Sequence, residues 1–320
     1  MSNLILQLGV KTDPIEYRFS YKWLFQILAE ESVHHVQLGT FCELYHLPDE
    51  FFVKLRRLAE EYGVRISSVF TSHRELGGFL RAEHPAWETV ARHNYERLIE
   101  VGALVGAESV GSNPGAIVRD WMESKEEGIQ RYLRHMKELM RCAHRLGVPW
   151  LTIEPMSCLA EPPSLPDEIQ SMAEELLAYH NQHPHQTAAV GYCVDVAHGY
   201  ADRAYNVLWD NYQLLKAALP YLFEIHLKNT DQNFEATLGF SQVERENGIV
   251  DVEVIRDLLM AKADVIPVSQ LIGYLEIGGP KRGRDYSDFK LETELRDSLR
   301  YLRETFRSDI PSSSNQLSPS

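Results

Sequence analysis

Leu146-Gly147-Val148-Pro149-Trp150-Leu151-Thr152-Ile153-Glu154 joins the end of one element to the whole of the next. Upstream of it, Tyr132, Met136, Leu139, Met140, Ala143 and Leu146 recur at three- and four-residue steps, the apolar stripe of an amphipathic helix. Gly147 then supplies the left-handed residue that ends such a helix. The run that follows is almost continuously apolar, as in a strand covered on both faces, and it stops on a carboxylate. The same joint recurs at Glu61-Tyr62-Gly63-Val64-Arg65-Ile66 and at Val105-Gly106-Ala107-Glu108-Ser109-Val110. Repeated helix-glycine-strand joints predict parallel strands linked by helices.

Eight such apolar runs lie at residues 4–10, 34–39, 64–70, 107–112, 148–154, 189–195, 222–228 and 270–277, one every 30 to 50 residues. Eight strand-helix units with no linker-like shift in composition predict a single α/β domain, a closed (β/α)8 TIM barrel over residues 1–306, with an open doubly wound sheet as the second choice. Residues 307–320 are polar and proline-marked, too poor in apolar surface to offset the entropy of ordering, and are expected to be a disordered tail.

The 320 residues are 44% hydrophobic and 24% charged, a globular balance. No run reaches the roughly 18 to 20 apolar residues of a membrane span. The start, Met1-Ser2-Asn3-Leu4-Ile5-Leu6, lacks a basic leader, so the expected address is the cytoplasm. Cys42, Cys142, Cys158 and Cys193 are widely spaced and expected to be reduced and mostly buried. A net charge of -14 without a basic, aromatic-rich stripe argues against nucleic acid as a partner. A homo-oligomer is compatible with all of this.

Barrels of this kind do their chemistry at the C-terminal ends of the strands. The fifth run ends on Glu154, the sixth on Asp195 with His198 just beyond, the seventh on His226 and Lys228, and the eighth on Glu276. Any one of these alone reads as a polar group finishing a strand. Three carboxylates brought together repel unless a cation lies among them, so the ordered set predicts one divalent ion held by Glu154, Asp195, His226 and Glu276. Three oxygen donors with one imidazole suit Mn2+, Mg2+ or Co2+, and Zn2+ is admitted.

With Thr152-Ile153-Glu154-Pro155, Cys193-Val194-Asp195-Val196-Ala197-His198, Ile225-His226-Leu227-Lys228 and Leu275-Glu276-Ile277, the chain resembles the xylose isomerase-like TIM-barrel superfamily over nearly its whole length to about residue 306. The Asp-x-x-His step is the most specific single element. In the D-tagatose 3-epimerase and hydroxypyruvate isomerase-like branch, the resemblance implies that Glu154, Asp195, His226 and Glu276 hold the metal. It further implies that Glu154 and Glu276 form an acid-base pair on opposite sides of the substrate and that His198 steadies a substrate oxygen. That branch carries an arginine six residues after the seventh-strand histidine; here the position is Gln232, and Lys228 is the candidate replacement. Endonuclease IV-like members carry further histidines, one in a His-Pro-Gly turn that reads Asn113-Pro114-Gly115 here.

Other strand-end residues are weaker candidates. His73 and Arg74, leading into Gly77-Gly78, are read as closing over an anionic substrate, against a plain surface loop with an incidental ion pair. Arg282, within Lys281-Arg282-Gly283-Arg284, follows the last strand, where barrels often bind phosphate. Asn113, Gln37 and Lys228 are candidate hydroxyl contacts or, equally, interior polarity. His34, His35, His183 and His185 are read as solvated surface. The loop Ala160-Glu161-Pro162-Pro163-Ser164-Leu165-Pro166-Asp167 is expected to form a lid or a rigid lip beside Glu154.

The expected activity is isomerisation or epimerisation of a small sugar or sugar phosphate through an enediolate. A metal-dependent decarboxylase or dehydratase of a sugar-derived acid is the alternative enzyme, and a non-catalytic sugar-binding barrel the alternative of another class.

Overall fold

A computed structural model describes residues 4–13, 15, 18–39, 42–71, 76–81, 83–278 and 285–307. The strands are β1 (Ile5–Lys11), β2 (His35–Gly39), β3 (Arg65–Thr71), β4 (Ser109–Ser112), β5 (Trp150–Ile153), β6 (Ala189–Asp195), β7 (Tyr200–Ala201), β8 (Val207–Trp209), β9 (Leu222–Leu227) and β10 (Gln270–Leu275). The helices are α1 (Tyr21–Glu30), α2 (Asp49–Glu61), α3 (Ala86–Val105), α4 (Lys125–Leu146), α5 (Pro166–Gln182), α6 (Asn211–Ala218), α7 (Gln242–Asn247), α8 (Val252–Ala261) and α9 (Asp285–Arg307).

Eight strands close in the order β1-β2-β3-β4-β5-β6-β9-β10, each parallel to its neighbours, and β10 pairs back on β1 from Ile5 opposite Gln270 to Val10 opposite Leu275. This is the predicted single-domain barrel, and each apolar run carries one barrel strand to within about two residues. The small pair β7-β8 is an antiparallel hairpin above the barrel that leaves Tyr205, Val207 and Leu208 exposed.

The joints behave as their glycines require. Gly106 and Gly147 follow α3 and α4 at φ 74° and 79°, a backbone only glycine adopts cheaply, and their N–H groups satisfy the last helical carbonyls. Buried faces of α3 (Tyr95, Leu98, Ile99) and α4 (Tyr132, Met136, Leu139) join strand residues such as Val69, Val110 and Leu151 in one continuous core. No helix among the described residues is long and apolar enough to cross a membrane.

Strand periodicity then sets what faces the barrel axis. Thr152 and Glu154, Cys193 and Asp195, and Glu224 and His226 are i, i+2 pairs on three successive staves. Their first members lie in the interior, and their second members lie at the mouth. Of the predicted tail, residues 307–320, Arg307 instead closes helix α9, and residues 308–320 lie outside the described residues.

Candidate active site

Backbone pairing continues one step past several strands and fixes the mouth residues: Glu154 N donates to Ser112 O at 3.2 Å and Glu276 N to Leu227 O at 2.9 Å. Asp195 is turned by its own loop, since its Oδ1 accepts from Ala197 N at 2.8 Å. That leaves Oδ2 aimed at the cluster. Glu154, Asp195 and His226 each offer one ligand atom within 4.8 Å of the others, and all three side chains are buried. Glu276 lies beside this triad, its Oε2 3.4 Å from His226 Nδ1, and is 20% exposed.

Two lysines enter the same space. Lys11, at the end of β1, places Nζ 3.2 Å from both Glu276 Oε2 and Asp13 Oδ2. Lys228, after β9, pairs with Asp195 Oδ2 and donates to His198 Nε2 at 3.4 Å. His198 in turn donates from Nδ1 to Pro155 O at 2.8 Å, which sets its ring against the rim. Four carboxylates, Asp13, Glu154, Asp195 and Glu276, thus face two ammonium groups, a formal excess of two negative charges that one divalent ion would balance. Asp195 Oδ2 is buried without a well-directed hydrogen bond despite its charged neighbours. The donor set therefore fits a divalent cation.

The electrostatics follow from this crowding. Burial pushes Glu276 up, but Lys11, Lys228 and His226 more than offset it and hold the carboxyl well below the usual range. Glu154 is lowered in the same way, burial being outweighed by His226, and Asp195 by His198 and Lys228. The imidazole of His226 is raised: burial and Lys11 oppose its charge, while Glu154 and Glu276 favour it. Both lysines are raised, with Asp13 and Glu276 overcoming the burial of Lys11 and Asp195 that of Lys228.

Of the other candidates, Asn113 is buried just beyond β4, and its carbonyl accepts from Ser112 Oγ at 2.8 Å. His73, Arg74 and Arg282 lie outside the described residues. Gln37 is not a mouth contact. It is fully buried against His226, and a register shift between β2 and β3 sets Ser68 opposite it. His35 is not solvated either; it is half-buried and bonds Ser67 Oγ through Nδ1 at 2.8 Å. The loop after β5 is a lip packed against the barrel: Pro162, Pro163 and Ser164 are buried, Ile117 N donates to Ala160 O, and Met156 N to Pro163 O.

Sequence reasoning missed Lys11, Asp13 and Glu224. A lysine closing the apolar run Leu4–Val10 and a glutamate two residues before His226 were the available signals, since both break an otherwise apolar strand on its interior face. Glu224 is 1% exposed, and its carboxyl is raised by burial, which the Thr152 and Ser109 hydroxyls partly offset.

The closed parallel barrel with its polar cluster at the C-terminal mouth is a TIM barrel. Within that class, the chain belongs to the xylose isomerase-like TIM barrel family, which it matches over residues 25–305. Among solved structures it resembles a candidate xylose isomerase from Rhodospirillum rubrum at 18% identity and TM-score 0.75, covering 93% of this chain and 99% of that one. It also resembles D-psicose 3-epimerase from Clostridium cellulolyticum at 14% identity and TM-score 0.67, covering 94% and 99%. An L-ribulose 3-epimerase aligns at 11% identity and TM-score 0.62 over 98% and 100%. At these identities the likeness establishes a shared fold. No curated protein matches the sequence.

Proposed function

We propose that the protein is a divalent-metal-dependent isomerase or epimerase of a small ketose or ketose phosphate. The convergence of Glu154, Asp195 and His226 within 4.8 Å at the mouth, with Glu276 beside them, is the observation that carries this reading. Those four residues would hold the ion, which when bound polarises the carbonyl and neighbouring hydroxyl of the sugar and lowers the cost of removing the proton between them. Mn2+, Mg2+ or Co2+ suits the oxygen-rich donors best.

The chain's own groups supply the remaining chemistry. Glu154 or Glu276 takes the proton from the substrate carbon to give an enediolate, and the ammonium groups of Lys11 and Lys228 offset the negative charge that develops on oxygen. A proton returned to the same carbon from the opposite face inverts it, and one returned to the adjacent carbon isomerises the sugar. Asp13, His198, Lys228 and Glu276 are the partly exposed members of the cluster, so they form the wall a sugar meets first. Asn113 is assigned a hydroxyl contact, and His73, Arg74 and Arg282 an anionic substituent. Free Cys142, Cys158 and Cys193 agree with a reducing, cytoplasmic setting.

Incubation with ketoses and their 1-phosphates in D2O with Mn2+ tests the proposal. Deuterium should enter the recovered sugar at a carbon beside the carbonyl. Loss of carbon dioxide or water would mean a lyase, and absence of exchange with every sugar bound would mean a binding barrel. Full turnover after EDTA treatment would rule out the metal.

A further inference from the structure

A polar chain descends from His226 into the barrel and takes no part in the chemistry above. At its foot Glu224 has both carboxylate oxygens engaged: Thr152 Oγ1 and Ser68 Oγ donate to Oε1 at 2.8 and 3.3 Å, and Ser109 Oγ donates to Oε2 at 3.0 Å. Oε1 accepts from both Thr152 and Ser68 whether the carboxyl is ionised or carries a proton on Oε2, the oxygen that faces Ser109. The proton of Ser68 is thereby committed downward, and its oxygen accepts from Gln37 Nε2 at 3.2 Å. This orients the amide with Oε1 toward His226 Nε2 at 2.7 Å, where the ring must donate. Cys193 Sγ lies 3.2 Å from the same nitrogen, but a thiol is a weak donor and a weak acceptor, so the closer amide oxygen sets the direction. The other ring nitrogen, Nδ1, faces Glu154 Oε1 at 3.1 Å and Glu276 Oε2 at 3.4 Å.

We propose that Gln37, Ser68 and Glu224 are positioning residues, a one-directional hydrogen-bond ladder that keeps a proton on His226 Nε2 and so makes Nδ1 the ring atom presented to a metal. The inference rests on the metal reading of the cluster and adds the reason why the imidazole takes one tautomer. Partners that orient a ligating histidine typically change metal affinity by about 10- to 100-fold. The ladder sits in a layer of the barrel that no sugar reaches, so its effect falls on the ion.

The test measures Mn2+ affinity by calorimetry for the wild type, Gln37→Leu, Glu224→Gln, the double variant and, should Glu224→Gln fold poorly, Ser68→Ala. Each single change is expected to weaken binding by about 10- to 100-fold, and the double variant no further than its weaker parent, because both cut one chain. Losses that multiply, or an unchanged affinity in Gln37→Leu, would overturn the ladder. Spectra of 15N-histidine protein give a readout apart from binding and turnover. Nε2 of His226 should carry its proton in the metal-free and Mg2+-loaded wild type, whereas a proton on Nδ1 alone contradicts the proposal. A wild type that shows the Nε2 proton yet binds no Mn2+ defeats the metal reading and with it the role of the ladder, while leaving the tautomer assignment intact.

Discussion

In the proposed reaction Lys11 serves charge balance at the mouth and Glu154 is one of two candidates for proton transfer. Lys11 is 2% exposed and surrounded by Asp13, Glu276 and Glu154, so its removal leaves these carboxylates facing one another. Lys11→Met is expected to destabilise the metal-free protein by about 3–5 kcal/mol, the usual cost of breaking a buried pair from one side. Saturating Mn2+ should return more stability to this variant than to the wild type, as urea titrations with and without the ion will show. Glu154→Gln keeps the shape of the site and removes one of the two proposed bases. Its kcat should fall by roughly 10^2- to 10^4-fold, as steady-state assays will register, while sugar binding measured by calorimetry persists.

At the scale of elements, the helices are held by local devices that can be tested separately from the site. Asp210 caps α6 in a full capping box, its side chain accepting from Gln213 N at 2.7 Å while Gln213 Oε1 accepts from Asp210 N at 2.9 Å. Asp210→Ala should cost about 0.5–2 kcal/mol in chemical denaturation. A second device is pH-dependent. Glu244 on α7 lies against Glu294 on α9, and burial, then its bond to Glu294, pushes its carboxyl up to about 7 from an ordinary value of 4.5. The folded state therefore holds this proton more tightly than the unfolded chain, so the group's contribution to stability falls as pH rises from 4.5 to about 7 and is flat above. Glu244→Gln should remove that decline, seen as a flatter profile of melting temperature against pH across the same window.

For the whole molecule, the excess negative charge at the mouth is a property of the closed barrel, since its four carboxylates come from the ends of β1, β5, β6 and β10 and outnumber the lysines that follow β1 and β9. A cation that binds only the folded form raises stability by mass action, about 2.7 kcal/mol at a hundredfold excess over Kd. Mn2+ should accordingly raise the melting temperature and EDTA reverse the rise, and a melting curve indifferent to both would remove the ion from the account.

Read alone, the chain determined the alternation of helix and strand, the parallel sense of the strands and the four ligand candidates. Those properties live in local periodicity, in Gly63, Gly106 and Gly147 beyond helix ends, and in which residue closes each apolar run. Lys11, Asp13, Gln37 and Glu224 could be placed only by the closed structure. Closure brings β1 and β10 together across 265 residues of chain to set Lys11 on Glu276, and a register shift no local pattern announces sets Ser68 opposite Gln37. The hydrogen bonds of Glu224 depend on three hydroxyls from three other staves. Proximity of that kind follows from register and curvature, which are set by packing of the entire barrel and by no single segment.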